Sequence, residues 1–167
     1  MGKGSWIALI FLLLICFVFS EEIPVNVIVK GKVQKVFVKE GDTVKKAQKL
    51  LKISDELYTL KLKALEAKLM ELEEKRKKAE RYYRRYEEMF NRDLLAESVL
   101  EDKRTELKVL EYQIEEVRAE MERIKKLINY TEVRSPFSGK VKSVLVGEGS
   151  FVNGELTPQT VIIIERR

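Results

Sequence analysis

The chain has 167 residues, room for one ordinary domain or for a small domain carrying an elongated element. Charged side chains make up 35% of it, 32 basic and 27 acidic, and the two signs are interleaved. A net charge of +5 on such a mixture describes a solvated, ion-paired surface and gives no footprint for nucleic acid. Histidine is absent and Cys16 is the single cysteine, which removes the usual zinc ligands and the usual nucleophiles and acid–base groups. Neither catalysis, nor a metal, nor a cofactor is expected.

Residues 1–20 read as a targeting segment. Lys3 supplies the positive start, Trp6 to Phe19 is an apolar run of fourteen residues, and Val18-Phe19-Ser20 offers a cleavage site. A bilayer-spanning helix needs about 20 residues, so cleavage after Ser20 is expected ahead of an anchor retained through residues 6–19. Lipidation at Cys16 is disfavoured because Ile15 is large where a small residue is required. The exported chain would begin at Glu21.

The next segment alternates at period two. Pro24 to Val29 and Lys32 to Val38 read as strands with Gly31 between them, and Leu50-Leu51 follows. All eight glycines and all three prolines then lie outside residues 42–135, a stretch rich in Leu, Glu, Lys and Arg. Such a stretch has strong helix preference. Tyr58, Leu62, Leu65, Leu69, Leu72, Arg76, Ala79, Tyr83, Tyr86 and Phe90 recur at steps of four and three. Leu100, Lys103, Leu107, Leu110, Ile114, Val117, Met121, Ile124 and Ile128 repeat the pattern after a break. Each stripe is a narrow seam that demands a partner helix. The phase is lost between Asn91 and Glu97, and Ser98 with Glu101 forms a capping-box pattern able to restart a helix. So short a connection makes the second helix antiparallel to the first. Arg76 and Lys103 interrupt the seams and are expected to fix register, with Arg76 facing Gln113 and Ile114 and within reach of Glu111 or Glu115.

Beyond the helices, Val161 to Ile164 suits a buried closing strand. The two flanks also repeat each other. Gly31 to Val44 lies over Gly139 to Val152 with eight of fourteen positions identical. Each copy is too small to bury a core alone, so the two must pair across the helical insertion. Gly31, Gly41, Gly139 and Gly149 read as structural turn positions. Gly41 and Gly149 each follow an acidic residue, where a tight turn requires positive φ.

The segment Gly31-x-Val33-x-x-Val36-x-Val38-x-x-Gly41-Asp42-x-Val44 resembles the first half of a biotinyl/lipoyl-type domain. Thr131-Glu132-Val133-Arg134-Ser135-Pro136-Phe137-Ser138-Gly139-Lys140-Val141 is similar to the strand that restarts such a domain after a coiled-coil hairpin. In the order half-domain, hairpin, half-domain, the chain resembles the HlyD-type membrane fusion proteins, the periplasmic adaptor subunits, in a minimal form. The fold this implies is α+β, a lipoyl-like β-sandwich (barrel-sandwich hybrid) split by a long antiparallel coiled-coil hairpin. Its expected boundaries are 21–53, 54–130 and 131–167. The function it implies is a subunit of a tripartite efflux or type I secretion system in the cell envelope. Such a subunit bridges an inner-membrane transporter (ABC or RND type) and an outer-membrane duct, with homo-oligomers as a further expectation. An envelope spacer, or a relative needing a second chain, is the alternative.

Two departures bear on the analogy. Glu56 stands where a carrier domain presents its modifiable lysine, so a covalent cofactor is not expected. The chain also ends after the closing strand, where adaptors continue into a β-barrel and a membrane-proximal domain. At the tip, Arg85, Tyr86, Met89 and Ala96 follow the spacing of the adaptor docking motif, with Tyr86 and Met89 replacing leucines and Ala96 replacing a serine. Ser98 lies two residues further on. With Arg92, Leu94 and Leu95 these residues form the expected partner-binding surface.

Overall fold

The computed structural model describes residues 21–166, so the expectations about cleavage, the anchor and Cys16 lie outside the described residues. Eight strands alternate inward β-branched and aliphatic residues with outward polar ones. They are β1 (Glu21–Val27), β2 (Lys30–Val36), β3 (Thr43–Val44), β4 (Lys49–Ile53), β5 (Glu132–Arg134), β6 (Gly139–Val144), β7 (Phe151–Asn153) and β8 (Gln159–Arg166). They form two antiparallel four-stranded sheets, ordered β1-β8-β6-β3 and β5-β4-β2-β7. Every sheet therefore contains strands from both repeats. β3 of the first repeat pairs with β6 of the second, and β7 of the second pairs with β2 of the first.

The repeat is visible in the hydrogen bonds as well. Val33 donates its N–H to Ser150 O at 2.8 Å, and Val141 donates to Asp42 O at 2.9 Å. Gly149 donates back to Val33 O at 2.8 Å, and Gly41 to Val141 O at 2.9 Å. The carboxylates before these glycines act reciprocally too: Glu148 accepts from the Val36 N–H and Glu40 from the Val144 N–H, each at 3.2 Å. Identical residues recur because each satisfies backbone groups of the other half. One apolar core results, including Val29, Val33, Val44, Leu50, Leu51, Ile53, Val141, Val152, Val161, Ile162 and Ile164, all at most 1% exposed.

Two of the four glycines expected in turns occupy strands instead. Gly41 (φ 91°) and Gly149 (φ 87°) do turn the chain in the left-handed region. Gly31 lies within β2 and Gly139 opens β6, and their lack of a side chain admits a neighbouring backbone. A Cβ on Gly31 would stand 2.7 Å from Ser54 O, and one on Gly139 2.4 Å from Glu165 O. The break between the first two strands accordingly falls at Ile28-Val29, and β2 starts earlier than the alternation suggested.

Helices α1 (Glu56–Phe90) and α2 (Glu97–Tyr130) are inserted between β4 and β5. Each rises about 50 Å at 1.5 Å per residue. All ten residues of the first stripe and all nine of the second are buried or half-buried, as a 3.5-residue seam requires. Cross-helix ion pairs Lys61–Glu120 (2.7 Å) and Glu73–Arg118 (3.2 Å) flank it.

One local expectation needs correction, and the placement expected of Arg76 gains a detail. No side-chain cap forms at the start of α2: Ala96 is its N-cap, which places Ser98 inside the first turn, where its hydroxyl cannot cap the helix. Arg76 shares a groove with Glu111, Ile114 and Glu115, yet its ion pair is with Glu80 on its own helix, at 3.1 Å. The i,i+4 spacing brings Glu80 within easy reach. Such a pair, still about a third exposed, is worth little. Arg76→Leu is expected to raise the melting temperature by a few degrees, because it restores an apolar seam position. Thermal unfolding followed by circular dichroism checks this, and a lower melting temperature would mean the charge supports the hairpin.

Candidate functional site at the hairpin tip

The tip is built by a helix ending in a left-handed cap. Leu94 donates its N–H to Met89 O at 3.0 Å and Asp93 donates to Phe90 O at 2.9 Å, with Asp93 at φ 56°. This pair of bonds is the Schellman arrangement, here with Asp in place of the usual glycine. The short polar side chain tolerates the left-handed conformation better than a branched one would. The loop then runs through Leu94 and Leu95 to Ala96, whose extended backbone (φ −71°, ψ 143°) opens α2.

The expected partner-binding residues divide into two groups. Arg85, Arg92, Leu94, Ala96 and Ser98 are exposed, while Tyr86, Met89 and Leu95 are half-buried. Tyr86 belongs to the seam and carries the Lys103 ammonium 5.8 Å from its ring centre. The Arg85 guanidinium lies 5.8 Å from the ring centre of Tyr82, so it leans along α1. Leu94, 66% exposed, is the apolar residue that the tip presents to solvent. The surface thus combines one projecting leucine with the exposed Arg85 and Arg92.

What holds the rod to the β domain escaped the sequence reading. Tyr58, read as a seam residue, is 4% exposed and belongs to the sandwich core together with Ile124. Its hydroxyl accepts the Lys30 N–H at 2.9 Å and donates to Glu155 Oε1 at 2.8 Å. Glu155 also takes Lys30 Nζ at 2.9 Å. Lys52 Nζ ties both ends of the insertion together through Asp55 Oδ2 and Thr131 Oγ1, each at 2.9 Å. The one signal in the sequence was a tyrosine where the stripe otherwise favours leucine.

These contacts shift the titrations. Burial pushes the Tyr58 hydroxyl up, so it stays a neutral donor. The hydrogen bond from Lys30, and then that from Tyr58, holds Glu155 below the usual carboxylate range. Arg123, then Lys61, brings Glu120 down to about 2. A carboxylate depressed in the folded state contributes its stability above its unfolded pKa and loses it as pH falls through the folded value. Tyr58→Phe should therefore cost about 1–2 kcal/mol near neutral pH. That difference should shrink below about pH 4. Denaturant titrations of both proteins across this range provide the check.

No curated protein sequence matches the chain. The family described as "YknX, barrel-sandwich hybrid domain" matches residues 27–159. Among solved structures, the chain is similar to MacA from Actinobacillus actinomycetemcomitans, at 24% identity and a TM-score of 0.60. It is similar to the membrane fusion protein Spr0693 from Streptococcus pneumoniae R6, at 14% identity and 0.61, and to ZneB from Cupriavidus metallidurans, at 16% and 0.55. These matches cover 87%, 87% and 86% of this chain but only 51%, 62% and 43% of theirs, so the chain spans less than two thirds of each. With two interleaved half-domains split by a coiled-coil hairpin, the chain belongs to the YknX barrel-sandwich hybrid family and has the fold of a membrane fusion protein.

Proposed function

We propose that the chain is an adaptor-like subunit of a tripartite efflux or type I secretion system in the cell envelope. It would act between an inner-membrane transporter of ABC or RND type and an outer-membrane duct, with the hairpin tip as the contact to the duct. The observation that carries the reading is Leu94, 66% exposed at the far end of a rod of about 50 Å. Its root is locked into the β core by Tyr58 and Ile124. An apolar side chain presented at the end of a rooted rod suits docking against the apolar positions of a helical partner, and Arg85 and Arg92 offer charge-assisted bonds to it. One tip buries little area, so strong attachment requires several copies acting together, in keeping with a homo-oligomer.

Arg85→Asp, and separately Leu94→Ser with Leu95→Ser, should abolish co-purification of the duct from solubilised envelopes. Helix content should be unchanged in both variants. Undiminished duct recovery with both variants would remove the tip from the interface.

A further inference from the structure

The end of the β domain farthest from the hairpin carries an unpaired basic surface. Register fixes which end this is. Glu21, Arg166, Gly139 and Val44 lie side by side across one sheet, and Glu22, Glu165, Lys140 and Thr43 form the next row. The hairpin root, at Lys30, Ile53 and Tyr58, belongs to the opposite end, where Val27 pairs with Gln159. Six residues of β1 separate the two ends, about 20 Å at 3.3 Å per residue.

Beyond Val44 the chain turns through Lys45 and Lys46, and that turn is firmly built. Ala47, at φ 66°, donates to Ser135 O at 2.7 Å and receives Arg134 Nη1 at 2.9 Å. The Lys46 N–H bonds Ser138 Oγ at 3.1 Å, which brings the turn beside Lys140, two residues on. Among the nearby carboxylates, Glu132 pairs with Lys49 and Arg134, Glu22 with Lys142 and Glu21 more loosely with Arg166, while the Asp42 carboxylate accepts the Lys39 N–H and has no ion pair among the described residues. Glu165 faces Lys140 in register without an ion pair. Lys45, Lys46 and Lys140 take part in no ion pair among the described residues; Lys45 and Lys46 are exposed and Lys140 is half-buried. This is also the end at which Glu21 continues from the apolar run Trp6–Phe19.

We propose that this pole binds anionic lipid headgroups, with Lys45, Lys46 and Lys140 as the contact residues. A run of fourteen apolar residues is short for a stable span. A basic surface adjoining it supplies the second signal that firm membrane attachment requires. Each lysine beside an acidic bilayer strengthens binding roughly fivefold, so three contribute on the order of a hundredfold. The inference rests on the alternative in which residues 6–19 are retained as an anchor and not cleaved after Ser20, and it is independent of what the tip contacts.

The test uses the full chain in vesicles of phosphatidylcholine, with and without phosphatidylglycerol. Lysines are acylated by a water-soluble reagent and modification is read residue by residue by mass spectrometry. Lys63, Lys108 and Lys126, exposed along the hairpin, serve as internal references. Severalfold slower acylation of Lys45, Lys46 and Lys140 in the phosphatidylglycerol vesicles, relieved by about 0.5 M salt, is the expected result. In the variant Lys45→Glu with Lys46→Glu, the protection of Lys140 should disappear. Equal protection in both vesicles, or none relative to the hairpin lysines, would overturn the proposal.

Discussion

Gly139→Ala is expected to destabilise the β domain by about 3 kcal/mol or more, a large part of what holds a small domain together. The added Cβ would meet Glu165 O at 2.4 Å and Ile164 Cγ2 at 2.8 Å, and the nearer of these is main chain in the adjacent strand. Relief would require β6 and β8 to separate, in the middle of the sheet that joins the two repeats. Gly41→Ala is the informative comparison. Nothing lies within 4 Å of its Cβ, so the cost there is only that of holding alanine at φ 91°, about 1–2 kcal/mol. Chemical denaturation of both variants should rank Gly139→Ala as clearly the worse. Equal losses would mean that the strands yield more readily than their pairing implies.

Excising the hairpin should leave a folded β protein. Residues 55–130 are inserted where the chain ends already meet, since the Ile53 N–H bonds Thr131 O at 2.8 Å. A short Gly-containing turn can therefore join Ser54 to Thr131. The sandwich would lose the Tyr58 and Ile124 side chains from its margin and leave the Lys30 N–H without its partner. Truncations of that kind cost a few kcal/mol. The interleaved strands and the core from Val29 to Ile164 remain. Val33 and Val141, which exchange hydrogen bonds between the repeats, should keep slow amide exchange. Rapid exchange at both would show that the halves need the hairpin to fold.

Much of this architecture is legible in the sequence because it rests on periodicity and repetition. The stripe from Tyr58 to Phe90 and its partner from Leu100 to Ile128 announce a paired seam, and the repeat of Gly31–Val44 in Gly139–Val152 announces a shared domain. Details set by tertiary contact are less legible. Gly31 and Gly139 look like turn glycines, but the reason for glycine is a neighbouring carbonyl that only the sheet pairing brings near. Ser98 and Glu101 have capping spacing, yet the loop delivers Ala96 to the cap position. Tyr58 shows an apolar ring in the pattern, while its hydroxyl partners at Lys30 and Glu155 come from strands distant in the chain. At the tip, spacing identifies the residues near the turn. It does not separate the outward Leu94 from Leu95 and Tyr86, which the seam partly covers.

The proposed function stands or falls on what the tip touches. Photo-cross-linking residues placed at positions 92–95, in cells, should capture an outer-membrane duct protein, and the same residues on the outer faces of the β domain should not. Capture of envelope proteins from the β domain, with none from positions 92–95, would contradict a docking tip and leave the hairpin as a spacer.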